Sequence, residues 1–158
     1  MTTGADTDQD RQPKPDRIKQ YHKELRQRLD AALSASKAER QEQMPALGRE
    51  FLAAVERGNP ATVDVFLDEG MNVNYRDFDT GQTALHVAAC ANAREVVRLL
   101  IKTGKCDYLI RDKRGRLASD LAYTVADDPA LARLLGNKER KQAAQQGVDL
   151  THRRDSPS

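Results

Sequence analysis

The sequence predicts an all-α fold, a solenoid of helical hairpins about three units deep, preceded by an N-terminal helical segment. Two observations carry this. The first is a 34-residue period: Gly70 and Gly104 stand 34 apart, as do Gly81 and Gly115. At that offset Phe51 falls on Leu85, Ala54 on Ala88, Val63 on Val97, Phe66 on Leu100 and Leu67 on Ile101. A second step puts Ala88 on Ala122, Val97 on Leu131, Leu100 on Leu134 and Ile101 on Leu135. One such unit cannot bury its own apolar stripe, so the units must stack. The second observation is a shift in composition. From Leu47 to Gly136, 44 of 90 residues are hydrophobic, against 17 of 68 outside that window. The middle matches a globular chain, and the flanks are too polar to make a core of their own.

Those boundaries divide the chain into a disordered tail (1–14), an N-terminal helical segment (15–46), a repeat domain (47–136), and a helix extension with a basic disordered tail (137–158). Pro15 suits a first helical turn, with Asp16 beside it at the positive end of the helix dipole. Ile18, His22, Leu25, Leu29, Ala32 and Leu33 follow as one narrow stripe at helical spacing. Three readings of the stripe stand side by side: a helix folded back over the first repeat, a self-associating helix pair, and a partner-binding helix. Ser36 and Glu39 have the spacing of a capping box, so a second helix starts there. Pro45 marks a bend before the first repeat helix, Leu47 to Arg57, and Pro60 opens that unit's second helix. In the middle unit, Thr83 to Ala91 reads as a short alanine-rich helix. Ala93 to Thr103 reads as its partner, with Val96, Val97, Leu100 and Ile101 on one face. Gly104 falls where a left-handed cap is wanted. Asp128 before Pro129 reads as an N-cap, and Gly147 ends an extension of the last helix over Lys138 to Gln146.

The stretch Gly81-Gln82-Thr83-Ala84-Leu85-His86-Val87-Ala88-Ala89 resembles the ankyrin-repeat signature, with alanine in place of the usual proline. Glu95 to Ile101 resembles that family's second helix, and Gly70 to Asp77 the linker into the next finger. In the third unit Leu117 and Asp120 replace the threonine and histidine, a drift expected of a terminal capping unit. The resemblance implies protruding β-turn fingers and a concave face that binds another protein. It gives Thr83, Leu85, His86 and Gly104 structural roles, with Thr83 and His86 bonded across the turn that starts the helix.

Composition narrows the function. Formal net charge is +2, which gives no general case for nucleic acid or an anionic membrane. No apolar run reaches membrane-spanning length, and Met1 to Asp6 does not read as a signal peptide. Cys90 and Cys106 read as reduced, partly buried thiols of a cytoplasmic protein. Asp107 next to Cys106 is expected to raise that thiol's pKa. Three scattered histidines and two cysteines lack zinc-site spacing, and no lysine-serine follows the glycines as a phosphate loop needs. The expectation is therefore no enzyme, no cofactor and no metal. The candidate partner-binding residues lie on two fingers. The first offers Tyr75, Arg76 and Phe78, with Phe78 as an aromatic anchor; the second offers Arg111, Lys113, Arg114 and Arg116 for an acidic partner. The leading reading is a protein–protein interaction module, an adaptor or regulator. The alternatives are a scaffold protein that forms homo-oligomers through the N-terminal helix, and a nucleic-acid binder using the basic second finger.

Overall fold

The computed structural model describes residues 15–150, so the tails expected at 1–14 and over 151–158 lie outside the described residues. Seven helices run through them: α1 (Pro15–Ser34), α2 (Lys37–Glu56), α3 (Pro60–Asp68), α4 (Ala84–Cys90), α5 (Arg94–Lys102), α6 (Ala118–Thr124) and α7 (Pro129–Gln146). The pairs α2–α3, α4–α5 and α6–α7 are the three hairpins. Helices α2, α4 and α6 pack in succession as an inner row, and α3 packs on α5 in the outer row. No strand occurs among the described residues. The fold is the all-α repeat stack that the period predicts.

Burial explains the period. The repeated alanines Ala54, Ala88 and Ala122 are all buried and let the inner helices approach closely. Val63, Val97 and Leu131 supply the matching positions of the outer row, and all three are buried. Phe51 and Phe66 meet at 5.3 Å between ring centres, tilted at 49°, and lock the first hairpin. Between the helices of each hairpin the chain passes through the left-handed region, at Gly58, then Asn92 (φ 54°), then Asp127 (φ 52°). Asparagine and aspartate are the non-glycine residues that enter it at least cost. Asp128 then accepts from the Leu131 amide at 3.1 Å as the N-cap of α7.

Helix α1 folds back against both α2 and α3. Leu25 and Leu29 are fully buried and Ala32 nearly so, each leucine contributing about 1.5–3 kcal/mol by burial. The apolar stripe is thus covered by the chain's own first repeat. This is the arrangement of the first reading, a helix folded back over the first repeat; Ile18 alone of the stripe stays 42% exposed. Polar contacts fix the angle of α1. Arg28 donates twice to Glu50, at 3.0 and 2.9 Å, the Tyr21 hydroxyl donates to Glu50 at 2.9 Å, and His22 Nε2 lies 3.0 Å from Thr62 Oγ1.

Pro45 does not separate two helices, and no new helix starts at Leu47. Ser36 caps a single helix by accepting from the Glu39 amide at 3.4 Å, and that helix runs through Pro45 to Glu56. Proline removes the amide that would bond the carbonyl four residues back. Gln41 and Pro45 are both exposed, so water can satisfy that carbonyl. Leu47 and Phe51 anchor the far half in the core.

At the other end α7 outruns its hairpin. Glu139, only 2% exposed, accepts from the Ser119 hydroxyl at 2.6 Å and the Ser119 amide at 3.1 Å. It thereby satisfies the start of α6, where Leu117 carries no capping oxygen. Gln142 accepts from the Tyr108 amide at 2.6 Å and so ties the extension to the second finger's approach.

Candidate functional site

The two fingers are the loops from Gly70 to Thr83 and from Gly104 to Leu117. Each turn is organised by one aspartate. Asp77 accepts from the amides of Asp79 (3.1 Å) and Thr80 (2.8 Å) and from the Thr80 hydroxyl (2.9 Å). These bonds, the Thr80 amide first, hold its carboxyl below the usual range. Asp112 does the same in the second finger, accepting from the amides of Arg114 (3.0 Å) and Arg116 (2.9 Å) and from the Arg116 guanidinium (3.0 Å). Burial pushes the Asp112 carboxyl up, but its bonds from Arg116 and Gln82 outweigh that and bring it down.

Asp77 and Asp112 stand 35 apart, so the 34-residue register slips here. Asn72 accepts from the amide two residues on (2.9 Å), and so does Asp107 (3.0 Å), again 35 apart. The second finger carries its extra residue directly after Gly104. The first carries one at its tip, where Asp77 pairs with Gln82 (2.8 Å) and Asp112 with Arg116 (3.0 Å), spans of five residues against four. The extra tip residue makes room for Phe78 to stand out, 87% exposed.

The same slip makes Arg76 and Arg111 equivalents. Arg76 Nε donates to the Gly81 carbonyl at 3.2 Å, and Arg111 Nη1 to the Gly115 carbonyl at 2.7 Å. Arg76 Nη2 also donates to the Arg111 carbonyl at 2.8 Å, one finger to the next. Among the described residues no third finger follows Arg111, and its Nε and Nη2, shielded from solvent, have no hydrogen-bond partner there. The fingers also meet backbone to backbone, Lys113 N–H donating to the Thr80 carbonyl at 2.9 Å. The approach is close enough that a Cβ at Gly81 would lie 3.0 Å from the Lys113 nitrogen.

His86, 1% exposed, ties finger to helix. Its Nδ1 accepts from the Thr83 amide at 3.2 Å, so the ring proton sits on Nε2, which donates to the Arg116 carbonyl at 2.9 Å. Burial depresses its pKa. Thr83 and Leu85 are buried beside it, and Gly104, with φ 70°, closes α5. Tyr75 is half-buried with its ring over Gly48 of α2, anchoring the base of the first finger.

The candidate binding residues therefore separate into two groups. Arg76 bridges the two fingers, Arg111 and Arg116 bond within the second, and Tyr75 anchors the first to the inner row. Phe78, Lys113 and Arg114 are exposed at the tips, with the Lys113 ammonium 5.2 Å from the centre of the Phe78 ring. Sequence reasoning missed two residues of the closing unit: Glu139, and Tyr123, which is 64% exposed at the register position of the buried Ala89. A charged residue on a helix extension carries no periodic signal; the Tyr123–Ala89 mismatch did lie in the 34-residue register.

The Cys106 thiol is pushed up to about 11, chiefly by burial rather than by Asp107 as the sequence suggested. Among the described residues no group of three metal-ligating side chains gathers, and no helix is long and apolar enough to cross a membrane.

Comparison with known proteins gives one family and partial relatives. The family described as ankyrin repeats (3 copies) matches residues 29–145. Human diacylglycerol kinase iota is 35% identical over 88 residues, 54% of this chain but 8% of that protein, and the Rattus norvegicus form matches to the same extent. Serine/threonine-protein kinase 12 of Arabidopsis thaliana is 39% identical over 54 residues, 34% of this chain and 12% of that protein. The chain thus spans only a small part of the curated relatives it matches.

Proposed function

Because the chain belongs to the ankyrin-repeat family, we propose that it is a non-enzymatic protein-interaction module, an adaptor or regulator that holds a partner protein against its fingers and concave face. Repeats of this kind generally bind other proteins. The observation that carries the reading for this chain is the locking of the two fingers. Arg76 and the Lys113 amide bridge them, and His86 and Tyr75 tie them to the inner helices. A surface already held rigid loses little conformational freedom when a partner arrives. A cytoplasmic setting accords with two free cysteines, one buried and one half-buried.

The test is capture by the immobilised full chain from a cytosolic extract, with mass spectrometry of what is retained. The same capture is then repeated with exposed single substitutions. Lys113→Glu on the fingers and Ala91→Arg at the end of α4 are expected to release the partner. Arg98→Glu on the outer row is expected to keep it. A partner released only by the outer-row substitution would refute the assignment of this face.

A further inference from the structure

We propose that the paired finger tips form a docking ledge for an acidic linear segment of a partner protein, an apolar side chain lying on Phe78 and carboxylates pairing with Lys113 and Arg114. This rests on the protein-binding reading above and names the chemistry of the partner.

The argument begins with what each charge at the tips already does. Asp77 and Asp112 face inward and accept from backbone amides, hydroxyl and guanidinium. The turns therefore occupy the carboxylate oxygens that would otherwise pair directly with Lys113 and Arg114. Asp79 is the one exposed carboxylate left there, against the exposed cations Lys113 and Arg114. Arg111 adds a positive charge beneath them, with two nitrogens that find no acceptor. A surface of this sign selects carboxylates, and an arginine at its rim can pair with one in bidentate fashion.

Phe78 supplies the apolar half of the match. At 87% it is the most exposed large hydrophobic side chain among the described residues. Covering such a ring releases water from a large apolar area, and aromatic anchors are over-represented among residues that dominate binding. The Lys113 ammonium, 5.2 Å from the ring centre, holds cation and ring as a pair. The Lys113–Thr80 backbone bond fixes the spacing of the two tips before anything binds. The combination fits a protein segment better than a nucleic acid, which wants a longer run of cations and several stacking rings.

The test is fluorescence anisotropy with the full chain and a short fluorescein-labelled peptide of glutamates around a single leucine. Its glutamine counterpart and an oligo-deoxythymidine of equal length are the comparators. Saturable binding of the acidic peptide alone is expected, weakened about tenfold by Arg114→Glu and clearly by Phe78→Ser. Both variants should melt as the parent does, because both side chains are exposed. Equal binding of the glutamine peptide, tighter binding of the oligonucleotide, or indifference to Arg114→Glu would each overturn the ledge. If the acidic peptide fails while a captured partner is released by Ala91→Arg, the ledge falls and the protein-binding reading stands. If neither binds, both fall.

Discussion

Replacing Gly48 by alanine should change sign with the residue at position 75. Gly48 is a buried position inside α2, and a Cβ built there would lie 2.1 Å from Cζ of Tyr75. Carbon atoms in contact sit about 3.5–4.0 Å apart, so the ring must retreat by roughly 1.5 Å or leave. Retreat is overpacking, which costs about 1–3 kcal/mol. Leaving uncovers a half-buried tyrosine, a loss of about 2 kcal/mol if some 80–100 Å² of apolar area is exposed. Against either stands the helix-propensity gain of alanine over glycine, about 1 kcal/mol. Gly48→Ala should therefore be neutral or destabilising by up to about 2 kcal/mol in the parent. In a Tyr75→Ala background, where nothing opposes the new methyl, it should stabilise by about 1 kcal/mol. The four chains of this double-mutant cycle can be compared by urea unfolding with a shared slope. An equal effect in both backgrounds would show that Tyr75 does not rest on Gly48, and the anchoring of the first finger would have to be abandoned.

Three further outcomes follow from burial and titration. Leu29→Ala, at a fully buried position of α1, should cost about 2–5 kcal/mol in chemical unfolding; a loss below about 0.5 kcal/mol would mean that α1 does not cover the first repeat. His86 is held neutral, its folded pKa depressed below the ordinary 6.5 by burial. Its contribution is thus complete above about pH 6.5 and lost as pH falls through the folded value. The urea midpoint should fall between pH 7 and 5 more steeply in the parent than in His86→Gln, and parallel curves would count against the Thr83–His86–Arg116 bridge. Burial raises both thiols, that of Cys106 to about 11, so a thiol reagent at neutral pH should label half-exposed Cys90 before Cys106 and both slowly. Peptide mass mapping over time reads the order, and Cys106 labelling first would contradict the packing under α5.

The sequence showed most where one physical cause repeats. Alanines between inner helices and valines or leucines in the outer row answer the same packing demand in each unit, so the 34-residue offset found them. The register failed where the demand is met by hydrogen bonding. Asp77 and Asp112 build equivalent turns, yet lie 35 apart because the extra residue sits at a tip in one finger and after Gly104 in the other. A fixed offset therefore set Asp77 against Arg111 and concealed that Arg76 and Arg111 share a task. That task also decided which cations could be offered to a partner. Counting basic residues made Arg76 and Arg116 look as uncommitted as Lys113 and Arg114, but Arg76 donates to two finger carbonyls and Arg116 to Asp112, while Arg111 reaches only the Gly115 carbonyl and keeps two shielded donors unmatched. Pro45 misled for the opposite reason. A proline's lost amide and ring clash disfavour a helix interior, but a freed carbonyl that reaches water and a far half anchored in the core can offset that cost. Both conditions are tertiary, and neither can be read along the chain.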